Sequence, residues 1–355
     1  MIDLRDRPAC VRNGEELDLP RLETFLRGHF PDSAGSLSIE QFPSGHSNLT
    51  YLVHLGEKDL VLRRPPFGSQ VKSAHDMGRE YRVLTRLHGA FPCAPKAILY
   101  CDDTTVIGAP FYLMDPIRGI ILRRDPPADL PFPASVARGL CESFIAKLAE
   151  LHHLDPAEVG LSDLGKPDGY LERQVHGWIE RYKASNTAEL PEFERIATFL
   201  TGRVPSSTDV ALIHNDYKYD NLVLDPDDIT RIIGVLDWEM CTIGDPLSDL
   251  GTALAYWVDP GDPDELQQIR WAPTTSPGSM TRAELVEYYA RISGRDTSHM
   301  VFYLALARFK VAVIVQQIYY RYYQGLTRDP RFAALLDVAK ILLRASLHTI
   351  NTASI

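Results

Sequence analysis

The stretch His214-Asn215-Asp216-Tyr217-Lys218-Tyr219-Asp220-Asn221, followed by Asp237-Trp238-Glu239, concentrates the side chains best suited to chemistry. Two carboxylates and an amide at this spacing suit phosphoryl transfer. That reaction asks for little covalent work; it needs a positioned hydroxyl, a held metal and neutralised charge. Asp216 on a loop can accept the proton of an attacking hydroxyl. Asn221 and Asp237 offer oxygen, the donor magnesium prefers. Lys218, two residues after Asp216, can reach a transferring phosphate, and Glu239 can sit behind a metal ligand.

The surrounding elements must bring these groups together. Val210 to Ile213 is a short apolar run leading into the loop. Leu222 to Asp225 and Arg231 to Leu236 read as strands joined by the turn signal Pro226-Asp227-Asp228. A hairpin with Asn221 at its mouth and Asp237 at its exit returns the amide and the carboxylate to one place. Asp249, shortly after Asp245-Pro246, is read as a helix cap that braces the loop.

Upstream, Leu37 to Phe42, Leu52 to Leu55 and Leu60 to Arg64 read as strands, the last stopped by Pro65-Pro66. The segment Pro43 to Tyr51 joins the first two. Strand, small-residue loop, strand is an arrangement that covers nucleotide phosphates. Gly45 permits close backbone approach, and Ser47 and Asn48 can donate to phosphate oxygens. No Walker A spacing occurs, and Leu49 stands where a nucleophile elbow needs Gly. Arg63 is the candidate phosphate contact on the third strand. Arg64 should face the other way and be solvated. Ser73 to Gly89 has helical periodicity, with Met77, Tyr81, Leu84 and Leu87 on one stripe and Glu80 beside it. Phe111 to Ile117 reads as a strand and hinge that includes Met114.

The helical remainder covers Ser135 to Leu154, Tyr170 to Lys183, Pro191 to Leu200, Thr252 to Val258, Leu285 to Ile292, His299 to Tyr323 and Phe332 to His348. A Pro- and Gly-rich stretch, 259–281, interrupts it. His152-His153 near a helix C-terminus reads as a dipole partner. Two features compete for an acceptor. Asp259, Asp262, Asp264 and Glu265 would meet a cation; Lys310, Gln317 and Arg321 share a helix face and would meet an anion.

His214-Asn215-Asp216…Asn221 follows the protein-kinase H-R-D-x-x-x-x-N pattern with Asn215 in place of Arg. With Leu236-Asp237-Trp238-Glu239 and Gly244-Asp245-Pro246-Leu247-Ser248-Asp249-Leu250-Gly251, the chain resembles the aminoglycoside phosphotransferase and choline-kinase-like superfamily. More closely it resembles the kinase-like domains fused to acyl-CoA dehydrogenases and their stand-alone bacterial relatives. The resemblance runs from about Leu19 to the last helices. It implies an α+β, protein-kinase-like bilobal fold, with a nucleotide lobe over residues 1–115 and a catalytic and substrate lobe over 116–355. It implies ATP or GTP with Mg2+ as cofactors, and Met114 at the adenine edge. By the same resemblance Glu80 stands where a kinase lobe offers its Glu to the basic strand residue, here Arg63. The acceptor it implies is a hydroxyl on a small metabolite such as a hydroxyacyl-CoA. Arg63 stands where the family places Lys, so the phosphate contact must differ in geometry. The short segment after Asp237 leaves no room for a regulatory activation loop. Aminoglycoside- or choline-type acceptors, a non-catalytic nucleotide-binding module and a metal hydrolase are the competing readings.

Composition bounds the rest. The 355 residues carry 37 basic against 47 acidic side chains, a net charge of -10. That excludes the basic excess of a general nucleic-acid binder. Five cysteines without Cys-x-x-Cys spacing suit reduced thiols in the cytoplasm. Apolar runs such as Val311 to Val315 are too short to span a bilayer, and the first residues carry no signal-peptide pattern. A cytoplasmic protein with a small-molecule partner, neither nucleic acid nor membrane, is the expectation.

Overall fold

The computed structural model describes residues 8–43, 48–68, 76–206, 209–327 and 329–355. The expected phosphate-loop residues Gly45 and Ser47 lie outside these, as do residues 69–75. The chain divides into two compact units. The first holds residues 1–121, 159–161 and 221–241; the second holds 122–158, 162–220 and 242–355.

The first unit is built on a five-stranded antiparallel sheet. Its strands are β1 (Leu37–Gln41), β2 (Leu49–Leu55), β3 (Lys58–Arg64), β4 (Ala97–Cys101) and β5 (Phe111–Met114), in the order β1-β2-β3-β5-β4. Strand β4 was not expected from the sequence; it lacks clean alternation, and a register shift separates Ala97 from Leu99. Helix α1 (Leu19–His29) starts at Asp18, whose carboxylate accepts from the Arg21 N–H. Its buried Leu22 and Leu26 join Tyr51, Val53, Leu60, Leu62, Phe111 and Leu113 in one core on one face of the sheet.

Helix α2 (Met77–Leu87) is capped by Asp76, so it begins four residues after the expected Ser73. It buries Met77, Glu80, Val83, Leu84 and Leu87, a stripe at i, i+3, i+4, i+7 spacing. Glu80 therefore lies within the apolar stripe. Tyr81, expected there, is only half-buried and stacks on Tyr100 with ring centroids 5.6 Å apart.

The expectation that Arg64 is solvated is wrong. Arg64 is buried, donating to the carbonyls of Pro65 and Ile107 and covering the Phe67 ring at 3.7 Å. Alternation does turn Arg63 and Arg64 to opposite faces. Both faces of this sheet are covered, so alternation chooses the neighbour and not between protein and water. The short helix α3 (Thr104–Ile107) supplies the covering carbonyl. The expected hairpin forms, with Leu222 paired to Val235 and Val223 to Gly234, and a bulge follows at Leu224.

The second unit is mainly helical: α4 (Ala134–His152), α5 (Tyr170–Ser185), α6 (Pro191–Gly202), α7 (Pro246–Ala255), α8 (Asp264–Gln268), α9 (Arg282–Ser293), α10 (Met300–Tyr323) and α11 (Leu335–Thr352). Helix α8 lies inside the Pro- and Gly-rich stretch 259–281. The Val210 to Ile213 run becomes the strand Ala211–Ile213, paired antiparallel with Thr242–Gly244. By length and composition α10 could cross a membrane, but 72% of its most apolar stretch is buried inside the protein. It packs against α5, α7 and α11, as a core helix does. Asp245 caps α7 by accepting from the Leu247 N–H at 2.8 Å, and its other oxygen accepts from the Tyr303 hydroxyl at 2.8 Å.

Candidate phosphotransfer site

In the first unit the hairpin brings Asn221 and Asp237 to one mouth. The Leu236 N–H donates to the Asn221 carbonyl at 2.7 Å, closing the ladder just before Asp237. Asn221 is buried, and Asp237 takes a left-handed backbone, φ 68°. A non-glycine residue in that region carries strain, tolerated best by Asn and Asp. The twist lets the Trp238 ring turn inward, where it is fully buried, donates to the Val235 carbonyl and meets Phe91 edge-on.

Arg63 links the strands to this mouth. Its Nε lies 3.1 Å from Glu80 Oε2, its Nη2 donates to Asp237 Oδ1, and Glu239 Oε2 lies 3.6 Å from the same nitrogen. Burial works against the Arg63 charge, yet Asp237 and Glu80 together hold its pKa well above the usual value. For Glu80 burial wins and its pKa rises, against the pull of Arg63. Asn48 is buried and donates to Glu239 Oε2 at 2.6 Å. Arg79, missed by the sequence reading, donates to the carbonyls of Glu239 and Cys241 and fixes the segment beyond Asp237. Met114 ends β5, buried and paired to both Val61 and Ala97.

Asn221 and Asp237 supply an amide and a carboxylate oxygen, a donor set that fits magnesium when phosphate oxygens and water complete it. Among the described residues, no group of three His, Cys, Asp or Glu side chains forms a metal cage.

Asp216 belongs to the second unit, five positions before Asn221 in the chain. Its Oδ2 accepts from Lys218 Nζ at 2.7 Å and its Oδ1 from the Tyr256 hydroxyl at 3.2 Å. Lys218 also lies 4.9 Å from the centre of the Tyr256 ring. Burial works against its charge, but Tyr256 and Asp216 outweigh it and raise the Lys218 pKa. Burial pushes the Tyr256 phenol up.

The loop carrying Asp216 is held from below. Asp249, wholly buried, accepts from the backbone N–H groups of His214 and Asn215, each at 2.7 Å. Its Oδ2 also lies 3.2 Å from His152 Nε2, whose Nδ1 faces the Tyr289 hydroxyl at 2.7 Å. Burial lowers the His152 pKa, so the ring is neutral and shared between those partners. Burial would raise the Asp249 carboxyl, but the hydrogen bonds from His152 and from the His214 backbone hold it below the usual range. Sequence reading gave Asp249 both cap and brace; the cap is Asp245 and the brace is Asp249. His152, read as a helix-dipole partner, is part of the brace. Its partner lies 97 positions away, which spacing cannot reveal. His214 packs the loop: it is fully buried and its Nδ1 accepts from the Asp216 N–H at 3.2 Å.

Beside Asp216 lies a small pocket, with about 10 Å³ of open space, walled by Phe144, Tyr219, Tyr256, Trp257 and Trp271, with Asp220 and Lys218 also lining it. The acidic cluster expected to meet a cation is largely spent. Asp262 and Asp259 are tied to Arg282, and Glu265 pairs with Arg344 at 2.6 Å. The basic face expected on α10 is dispersed as well. Lys310 is buried, while Arg321 is exposed.

Residues 38–281 match the model of the phosphotransferase enzyme family, APH. The chain is 36% identical over 325 residues to acyl-CoA dehydrogenase family member 11 of Gallus gallus, covering 89% of this chain and 41% of that protein. This chain thus spans about two fifths of the length of that relative. A solved Ralstonia eutropha JMP134 structure, provisionally assigned as an aminoglycoside phosphotransferase, is 28% identical with a TM-score of 0.80. The match covers 95% of this chain and 99% of the other. The GDP and kanamycin complex of APH(2″)-IIIa, at 18% identity, shares the fold with a TM-score of 0.62, over 91% and 97% of the two chains.

Proposed function

This chain belongs to the phosphotransferase enzyme family, and we propose that it is a magnesium-dependent kinase moving the γ-phosphoryl group of ATP or GTP to a hydroxyl of a small metabolite. Its fold is the α+β, protein-kinase-like one of its neighbours. The observation that carries the reading is the meeting of Asn221 and Asp237 at one hairpin mouth, with Arg63 joining Asp237 to Glu80. That is a set of oxygen donors and one fixed cation, suited to a polyphosphate tail.

In this reading Asp216 orients the acceptor hydroxyl and takes its proton late. The acceptor oxygen forms a bond to the γ-phosphorus as the bond to the bridging β,γ-oxygen breaks, and the nucleoside diphosphate leaves. Lys218 and Tyr256 hold the Asp216 carboxylate in place. Asn221 and Asp237 would hold magnesium, which draws charge from the phosphate oxygens when bound. Gly45, Ser47, Asn48 and Arg63 are assigned to the phosphates, Glu80 to orienting Arg63, and Met114 to the adenine edge.

For the acceptor we favour a hydroxyl on an apolar chain, such as a hydroxyacyl-CoA. The pocket beside Asp216 has aromatic walls, and the nearby acids that would attract a polycation are neutralised by Arg282 and Arg344. The likeness to proteins named acyl-CoA dehydrogenases supports the same class. Aromatic walls with Asp220 also suit a quaternary ammonium, so a choline-type acceptor is the second reading. We place the reaction in the cytoplasm, on a free metabolite.

The test is nucleotide consumption across hydroxyacyl-CoA, aminoglycoside and amino-alcohol panels. Acceptor-dependent release of the diphosphate supports the kinase. Release without any acceptor points to a hydrolase, and binding without turnover to a non-catalytic module. Asp216→Asn should abolish turnover while nucleotide affinity stays nearly unchanged; a fully active variant removes Asp216 from the base role.

A further inference from the structure

We propose that Lys310 is a positioning residue for this transfer: from α10 it grips the Asn215 carbonyl and so fixes the backbone from which Asp216 projects. The inference rests on the kinase reading for its activity arm and on geometry alone for the rest.

Lys310 is buried at 6% exposure. Its Nζ donates to the Asn215 carbonyl at 2.9 Å, with Asn215 Oδ1 at 3.5 Å and Thr252 Oγ1 at 3.4 Å. Among the described residues no carboxylate forms an ion pair with it. A charged amine so placed is costly to bury, so a lysine here calls for a reason.

What the lysine touches gives the reason. Asn215 is in the left-handed region at φ 68°, one residue before Asp216. The two N–H groups of this bend are taken by Asp249, and the carbonyl is taken by Lys310. Acid from α7 and base from α10 thus clamp the bend on either side of the Asn215 Cα, at its N–H groups and at its carbonyl. The strained turn is determined by its surroundings, as such turns must be to persist. With the clamp open, Asn215 can relax and carry Asp216 off its line. A displacement of about 1 Å in a positioned group costs on the order of 100-fold in rate.

The charge state of the clamp is adjustable. Burial pushes the Lys310 ammonium down to about 8. Asp249 of α7 and Asp216 of the loop favour the charged form; Lys218 of the loop and Arg181 of α5 oppose it. Tyr170 and Trp178 of α5, Ser248 and Thr252 of α7 and Tyr303 of α10 line a small adjoining pocket of about 20 Å³.

Lys310→Met and Lys310→Arg test the role, with MgATP and the best acceptor from the panel. Lys310→Met removes the donor to the Asn215 carbonyl, so it should fold with a lower Tm, keep its nucleotide KM and lose on the order of 100-fold in kcat. The wild-type kcat should decline above about pH 8, and that alkaline limb should vanish in both variants, Lys310→Arg keeping the greater activity. Carbon-13 NMR of the free protein should show the Asp216 carboxylate and the Asn215 backbone shifting in Lys310→Met. Unchanged kcat in Lys310→Met, or an alkaline limb that survives in it, overturns the inference while leaving the kinase reading intact. If no acceptor turns over, the kinase reading fails, and unmoved Asn215 and Asp216 signals then overturn the clamp by themselves.

Discussion

Replacing Asp249 with Asn tests how the loop is held. The substitution keeps size and shape but removes a buried charge. Asp249 accepts three hydrogen bonds, two from backbone N–H groups at 2.7 Å and one from His152 at 3.2 Å. Asparagine has one accepting oxygen; its NH2 must face a donor. One charge-assisted bond disappears, worth about 1.5–3 kcal/mol, and one buried N–H loses its partner at about 1–3 kcal/mol. The two terms overlap, so a loss of about 3 kcal/mol is expected. For a unit of about 200 residues that is roughly 6–12 °C in Tm. The loss must depend on pH in a defined sense. The Asp249 carboxyl is held below its usual value in the folded protein. Its stabilisation is therefore complete above the unfolded value near pH 4 and fades as pH falls through the folded value. Thermal melts of wild type and Asp249→Asn at pH 7, 5, 4 and 3 measure this. A wide gap at pH 7 that narrows below about pH 4 is the expected result. Equal Tm at neutral pH, or a gap that widens with acid, would refute the brace.

Arg63→Met should cost about 3–5 kcal/mol, because it removes the cation that faces Asp237 and the buried Glu80; adding Glu80→Gln should recover part of the loss in denaturant titrations. His54 sits between Asp59 at 2.6 Å and Glu40 at 3.1 Å, which raise its pKa against the effect of burial. Its contribution is full below about pH 6.5 and lost as pH rises through the folded value, so His54→Gln should narrow its Tm deficit between pH 6 and pH 9. Gly251→Ala should destabilise by about 1–3 kcal/mol, since a methyl there would stand 2.8 Å from the Tyr303 carbonyl of α10; an unchanged melting curve would show that α7 and α10 can part without cost.

The hairpin at the candidate site was legible in the sequence because its parts are local. Asp216, Asn221 and Asp237 lie on one loop and one hairpin, and turn residues with strand periodicity specify a hairpin from neighbouring positions alone. The helices were legible for the same reason: their apolar stripes repeat within a few turns. Tertiary structure decided what each polar side chain meets. Arg64 obeys alternation yet is buried, because a second layer covers its face of the sheet. The His152–Asp249 brace, the Arg282 pairs that neutralise the acidic cluster, and the Lys310 grip on Asn215 join positions far apart in the chain. Such pairings depend on how helices pack, which periodicity fixes only as a face and never as a partner. The left-handed turns at Asn215 and Asp237 belong to the same class: the residue types permit them, and the surrounding bonds impose them.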